Sequence, residues 1–314
     1  MRIIFFGTPF FSVPSLEKLH MSPYDIDAVV TIPDKKQGRG MMAKSSPVKK
    51  YAASAGYDII EVDDLKSRKF IDELRSRKPD IFIVIAFKIL PESVYTIPRH
   101  GSFNIHASLL PRYRGADPIR HVLLNDEMET GVSIFQIEKS VDTGPLLLRK
   151  SCNIDPEDNY DSLFGKLSLL SSQALIDFLD DFNRLNKHKV SQTTLESDNS
   201  KAYKIKEEME YISWEQDSGE DVINKMRAFT PKPGLKTYFN NKRLTFKNIS
   251  YNLNKDINLS EGSIQKIGNK IYIGTITGSI ELLELQMDSK KKIEAIGFWN
   301  GFCSKNPDDN YFTS

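Results

Sequence analysis

The chain opens with Arg2-Ile3-Ile4-Phe5-Phe6, an unbroken β-branched and aromatic run that ends at Gly7. Such a run predicts a strand covered on both faces. Thr8 can cap a helix and Pro9 suits a first turn, and residues 12–19 then repeat apolar side chains at helical spacing. Residues 26–31 predict a second strand, 33–46 a polar, glycine-containing loop, 47–55 a helix, 58–62 a short strand and 64–77 another helix. The nearly continuous apolar run 80–86 again predicts a doubly covered strand, and 101–106 and 131–136 predict two more. Strand and helix alternate throughout, which implies a Rossmann-like α/β domain with a parallel sheet and right-handed crossovers. The first glycine turn lacks the G-x-G-x-x-G pattern, so dinucleotide binding has no support.

Residues 161–182 form a long amphipathic stretch, with Leu163, Leu167, Leu170, Leu175, Phe178 and Leu179 mostly on one side. From 188 to 201 the chain turns rich in Ser, Thr, Asn and Lys, as a linker would. Short alternating runs follow at 234–239, 243–249, 262–266, 270–275 and 279–286, punctuated by Asn240-Asn241, Gly268-Asn269 and Thr277-Gly278. They predict a small antiparallel β-barrel, OB-like, or a sandwich. The expected division is a catalytic domain over 1–187, a linker over 188–204 and a β-barrel domain over 205–314.

Composition narrows this picture. A length of 314 residues suits two domains, and 39% hydrophobic with 27% charged residues is ordinary for a globular protein. Cys152 and Cys303 are far apart and in no ligand spacing, so no disulfide framework or structural zinc is expected, and a reducing cytoplasm fits. The first apolar run is too short for a signal peptide, and no run approaches the length of a membrane helix. A monomer is expected. The net charge is +1, so any polyanion site must be a local patch.

Alternation along a strand puts Asn104 and His106 on the same face, at the carboxyl end of a predicted parallel strand, where open α/β sheets place their ligands. An asparagine there can donate a hydrogen bond to a developing oxyanion, and a histidine can accept or give a proton near neutrality. The same pair also fits a strand end that only bonds neighbouring loops. Asp142 stands before Thr143-Gly144 in a turn beyond the strand 131–136, where it is either a turn residue or an acid at the tip. Together the three form a candidate acid–base and oxyanion site.

The run from Asn104 to Gly115, followed by Glu129-Thr130-Gly131-Val132-Ser133 and Asp142-Thr143-Gly144, resembles the signature of 10-formyltetrahydrofolate-dependent formyltransferases. The resemblance implies that Asn104, His106 and Asp142 are the catalytic trio. It also implies a folate site formed by Ser108, Leu109, Leu110 and Pro111 with Phe87, Leu90 and Pro91 of the loop after Ala86. Phe6-Gly7-Thr8-Pro9, Ser12-Val13-Pro14, Pro33-Asp34, Gly38-Arg39-Gly40, Ser46-Pro47-Val48-Lys49 and the run from Arg227 to Gly234 resemble the methionyl-tRNA branch of that family. This branch implies transfer of a formyl group from 10-formyltetrahydrofolate, as co-substrate, to the α-amine of methionyl-initiator tRNA, with no metal. The rival within the family is a sugar-nucleotide N-formyltransferase. Met41-Met42 stand where the branch commonly has basic residues, Lys88 where the folate loop commonly has glycine, and Asp117 where a small residue is common.

Two basic regions bear on the tRNA. Residues 35–44 hold Lys35, Lys36, Arg39 and Lys44 with no acid, and the resemblance implies that this loop enters the acceptor end with Arg39. A solvated loop has the same composition. Residues 225–247 carry Lys225, Arg227, Lys232, Lys236, Lys242, Arg243 and Lys247 with no acid, interleaved with Phe229, Tyr238, Phe239 and Phe246. Arg227, Lys232 and Arg243 are the expected phosphate contacts, since cations supply most of the affinity for nucleic acid.

Overall fold

The computed structural model describes residues 1–37, 42–195, 200–304 and 310–314. Cα packing divides the chain into two units. The first comprises Met1–Pro118, Glu129–Asn153 and Phe164–Ala202, and the second Ile119–Met128, Ile154–Leu163 and Tyr203–Ser314.

The first unit is built on a seven-stranded sheet. Its strands are β1 (Arg2–Gly7), β2 (Asp25–Thr31), β5 (Ile59–Glu61), β6 (Ile81–Ile85), β7 (Ser102–His106), β9 (Glu129–Gln136) and β10 (Leu146–Asn153). β3 (Lys35–Gln37) and β4 (Met42–Lys44) pair with each other, as do β8 (Arg114–Gly115) and β11 (Lys201–Ala202). The sheet order is β10-β9-β7-β6-β1-β2-β5. The five strands from β7 to β5 are parallel, as the alternating pattern predicts. β9 and β10 are antiparallel. Ile3 to Phe6 and Ile81 to Ile85 are buried on both faces, which accounts for their unbroken apolar runs. On one face Ile4, Phe6, Phe82 and Val84 meet Phe70, Leu74 and Val94 from helices Arg68–Ser76 and Glu92–Tyr95. On the other, Phe103 packs on Phe178 of the helix Tyr160–Asp180, with ring centroids 5.0 Å apart.

Four features depart from the sequence expectation. β9 runs antiparallel to β7 in a sheet expected to be parallel. The hairpin β3–β4 lies inside the segment expected as a loop. β10 was not expected: it is an edge strand, half of it alternates with solvent, and Arg149 to Asn153 carry no apolar run. The polar stretch after residue 187 is held within the first unit, since Val190 bridges Leu146 of the large sheet and β11 pairs with β8 in a small separate one.

The second unit is an antiparallel sheet of β12 (Leu235–Phe239), β13 (Lys242–Ile249), β14 (Ile264–Ile267), β15 (Lys270–Thr275), β16 (Gly278–Met287), β17 (Lys292–Glu294) and β18 (Phe312–Thr313). Its order is β14-β15-β16-β13-β12-β18, with β17 on β16. A bridge between Ser263 and Tyr311 ties the β14 edge to the β18 edge, and Phe312 N–H donates to the Gly262 carbonyl at 2.8 Å. The path from β14 to β18 therefore closes on itself. Gly262 has φ +72, and a Cβ there would stand 2.5 Å from the Phe312 carbonyl oxygen, so this closure needs glycine. Phe229, Leu235, Phe246, Phe298 and Phe312 fill the interior. The helix Gly219–Phe229 starts from a reciprocal cap between Ser218 and Asp221.

Candidate active site

β7 lies between β6 and β9, with Val84, Asn104 and Phe135 aligned in one cross-strand row. These three side chains line a cavity of about 100 Å³, together with Phe87 and Leu90 of the loop after β6 and with Asp142. The cavity sits where the apolar core of that face gives way to polar groups. Two residues on from Asn104, and on the same face, His106 is 7% exposed. Its Nε2 lies 2.9 Å from the Tyr113 carbonyl oxygen, which can only accept, so Nε2 carries the proton. Nδ1 then faces Asp142, 3.9 Å from Oδ2. The Asp142 Oδ2 accepts the Gly115 N–H at 3.1 Å. Asp142 itself has φ +55, the left-handed region, which is uncommon outside glycine but which aspartate tolerates better than most residues. Asn104 and Asp142, from two separate segments, thus line one cavity, and His106 lies beside Asp142 without lining it.

Two hydrogen-bonding residues outside the expected site hold these turns. The Ser133 hydroxyl donates to the Ser108 carbonyl at 2.7 Å and accepts the Leu110 N–H at 2.9 Å, which fixes the turn after β7. Gln192 donates to the carbonyls of Asp142 and Gly144. Nothing in its polar surroundings distinguishes this glutamine in the sequence.

Of the residues expected at the folate, Phe87 and Leu90 line the cavity with Asn104. Pro91 lines an adjoining cavity of about 470 Å³, which shares Lys88, Ile89 and Leu90 with the first. Its rim mixes Asp63, Asp64 and Glu92 with Lys66, Lys88 and Lys139. Ser108, Leu109, Leu110 and Pro111 line neither cavity. Leu110 instead packs on Phe135 and Leu146, and the Ser108 hydroxyl donates to the Arg112 carbonyl at 2.7 Å. Lys88, in place of the usual glycine, needs no special backbone: the positive φ in this loop is at Ala86. The Lys88 ammonium donates to the Asp63 carbonyl at 2.8 Å.

Arg39 lies outside the described residues. Lys35 and Lys36 belong to β3, where Lys35 pairs with Lys44 across the hairpin, and Lys44 is exposed. The hairpin's root is ionic. Lys49 contacts Asp34 at 2.8 Å and Glu61 at 2.7 Å, and the Ser46 hydroxyl caps the following helix by accepting the Lys49 N–H at 3.0 Å. The Lys49 ammonium holds the Asp34 carboxyl below the usual carboxylate range.

In the second unit the expected basic patch is mostly neutralised by acids from elsewhere in the sequence. Arg227 departs furthest from expectation. It is 5% exposed, and its guanidinium donates to the carbonyls of Asp155 and Asp158 at 3.1 and 2.9 Å and to the Asp126 carboxylate at 3.2 Å. Those bonds tie two segments, Ile119–Met128 and Ile154–Leu163, to the barrel, and leave Arg227 no face for a phosphate. Lys225 pairs with Asp217, Lys236 with Glu207 and Glu210, and Arg243 with Asp288. Asp288 raises the Arg243 pKa further above its ordinary value. Lys232 and Lys242 are exposed and have no ion pair among the described residues.

Comparison with known proteins now decides the family. Residues 1–179 match the model of the formyl transferase family, and residues 204–303 match that of the formyl transferase C-terminal domain. A methionyl-tRNA formyltransferase of Dictyoglomus thermophilum is 40% identical over 309 residues, 96% of this chain and 97% of that protein. The chain belongs to the methionyl-tRNA formyltransferase family. A second member, from Geobacter metallireducens, is 36% identical over 98% of this chain and 97% of its own length. Among solved structures, the sugar 3N-formyl transferase WlaRD, crystallised with dTDP and 5-N-formyl-THF, has a TM-score of 0.63 at 19% identity, covering 93% of this chain and 99% of that one. HypX from Aquifex aeolicus in complex with tetrahydrofolic acid has a TM-score of 0.65 at 17% identity, covering 96% of this chain. The chain spans 47% of HypX. At these identities the two structures share the fold. The enzyme's α/β unit and its antiparallel β unit follow the order of a formyl transferase with its C-terminal domain. Among the described residues no helix is long and apolar enough to cross a membrane.

Proposed function

We propose that this enzyme transfers a formyl group from 10-formyltetrahydrofolate to the α-amine of methionyl-initiator tRNA, giving N-formylmethionyl-tRNA and tetrahydrofolate. The observation that carries the reading is the shared cavity of Asn104 and Asp142, with His106 beside Asp142. Family relatives that match along nearly their whole length support the choice of acceptor. In this reading residues 1–187 hold the donor and the acid–base groups, and 205–314 contribute to tRNA binding.

The chemistry follows from the geometry. The amine must be neutral to attack the formyl carbon. His106 keeps one proton on Nε2, held by the Tyr113 carbonyl, so Nδ1 is free to take the amine's proton. Asp142 then faces the resulting imidazolium and stabilises it. The Asn104 amide donates to the oxygen that becomes negative as the carbon turns tetrahedral, a contribution of about 3–4 kcal/mol in comparable acyl chemistry. The C–N bond to the folate N10 breaks, and the proton passes to that nitrogen. Apolar Phe87, Leu90 and Phe135 suit a ring edge in the small cavity, and the adjoining cavity gives room for the rest of the donor. Contacts to the tRNA are assigned to Lys35, Lys36, Arg39 and Lys44 of the hairpin segment and to Lys232 and Arg243 of the barrel. Arg227 takes an internal structural role instead.

The test offers the purified enzyme methionyl-initiator tRNA and an amino-sugar nucleotide with the same folate donor. Formylation of the tRNA is expected. Formylation of the nucleotide alone would replace this reading with that of a sugar-nucleotide N-formyltransferase.

A further inference from the structure

We infer that Gln192 is a positioning residue for catalysis: its side-chain amide clasps the turn that presents Asp142. The inference rests on the reading of Asp142 as the carboxylate that serves His106.

Gln192 lies in the polar stretch after the long helix, beyond the 1–179 family match, yet it is only 2% exposed. Its Nε2 donates to the Asp142 carbonyl at 3.0 Å and to the Gly144 carbonyl at 2.8 Å. Its Oε1 accepts from Arg114 Nε at 3.0 Å and from Nη2 at 2.6 Å. All four hydrogen-bonding positions of the amide are therefore used. A flipped amide would set its oxygen against two carbonyls and its NH2 against a guanidinium, so the partners permit one orientation only.

The clasp bonds to both sides of a turn with an uncommon backbone. At φ +55 Asp142 sits in the left-handed region, which is uncommon for residues other than glycine although aspartate is among those that tolerate it. A Cβ on Gly144 would stand 1.8 Å from the Gln136 carbonyl oxygen, so the turn is already pressed against β9. Without Gln192 the carbonyls of Asp142 and Gly144 lose these donors, and the turn loses two of the bonds that fix its conformation. Its carboxylate would then leave the Gly115 N–H at 3.1 Å and His106 at 3.9 Å.

The same stretch also grips the partner turn. Val190 exchanges two backbone hydrogen bonds of 2.8 Å with Leu146, just beyond the Asp142 turn. The Ser200 carbonyl accepts the Tyr113 N–H at 2.9 Å, and the Ala202 carbonyl accepts the Ala116 N–H at 2.6 Å. Tyr113 in turn holds His106, and Gly115 holds Asp142. Both members of the acid–base pair are thus oriented by turns that Val190, Gln192, Ser200 and Ala202 fasten.

The test is a cycle of variants in the full-length enzyme, assayed for methionyl-tRNA formylation well below the melting temperature of each. Gln192→Leu should lower kcat about tenfold or more, because a small misplacement of a reacting group is costly. KM for the tRNA and for the folate donor should stay within about twofold. In an Asp142→Ala background the same change should alter kcat by less than about twofold, since the clasp acts through Asp142. Arg114→Met leaves Gln192 in place but frees its amide to rotate, so it serves if Gln192→Leu folds poorly. It should lower kcat less, with the same loss of additivity. Full turnover in Gln192→Leu, or an equal further loss when Asp142 is already alanine, overturns the inference. Full turnover in Asp142→Ala, or no formylation of methionyl-tRNA by the wild type, counts against the reading of the site instead.

Discussion

His106 and Arg227 are almost equally buried, at 7% and 5% exposed, yet they do opposite work. Arg227 is saturated: Asp126, Asp155, Asp158 and Asn224 all take hydrogen bonds from it, and it ties three segments of the second unit together. His106 is half-engaged. One nitrogen is fixed by Tyr113, and the other faces Asp142 across 3.9 Å, too far for a direct hydrogen bond. Asp142 likewise keeps oxygen capacity beyond its bond from Gly115. Burial alone does not separate scaffold from chemistry. Unused hydrogen-bonding capacity beside a cavity does, because it is left for a ligand to take.

The contrast can be broken in order of expected effect. Asn104→Ala should lower kcat about 10²–10³-fold, the usual loss for an oxyanion donor. The melting temperature should hardly move, as Asn104 lines a cavity. A turnover near that of the wild type would remove Asn104 from the chemistry. Arg227→Ala should do the reverse. It leaves the carbonyls of Asp155 and Asp158 without their donor and should cost about 2–3 kcal/mol of stability. Calorimetry would show this as a lower melting temperature, while kcat at low temperature should hold within about threefold. An Arg227→Ala enzyme of full stability but weak tRNA affinity would restore this arginine to the tRNA surface.

Lys232→Ala and Lys242→Ala remove exposed cations with no ion pair among the described residues. Each should weaken tRNA binding and reduce the slope of log Kd against log salt by about one. Arg243→Ala should change the slope less, because Asp288 already neutralises that charge. Equal slopes for all three would mean that the intramolecular pair opens on binding. The smallest effect is expected at the hairpin root. The folded Asp34 carboxyl is held below its ordinary value, so its stabilising pairing with Lys49 is present above the unfolded pKa and fades as pH falls through the folded one. The melting difference between wild type and Asp34→Asn should therefore be present at neutral pH and shrink below about pH 4. A difference that grew with acid would refute this sign.

What could be read from the chain followed from what local sequence encodes. Unbroken apolar runs at Ile3 to Phe6 and Ile81 to Ile85 announced the buried parallel strands. Strand alternation was enough to put Asn104 and His106 on one face. The reversed direction of β9 was not legible, since periodicity carries no direction. Nor was β10, whose solvated half reads as polar chain. The basic run 225–247 held no acid, but Asp126, Asp217, Glu207, Glu210 and Asp288 reach it through the fold. Charge neighbours in sequence are thus a poor guide to charge neighbours in space. Gln192 was invisible for the same reason: its four hydrogen bonds all go to residues distant in sequence.

The placement of β1 has a consequence for biogenesis. β1 lies between β2 and β6, and β6 is made much later than β2. A nascent chain that has already zipped β1 to β2 would leave the other edge of β1 as a row of unpaired backbone N–H and C=O groups, flanked by the apolar side chains of Ile3, Ile4, Phe5 and Phe6, until Ile81–Ile85 arrives. During that interval the growing polypeptide is at its stickiest, and holding by a chaperone or a pause in translation would matter most there.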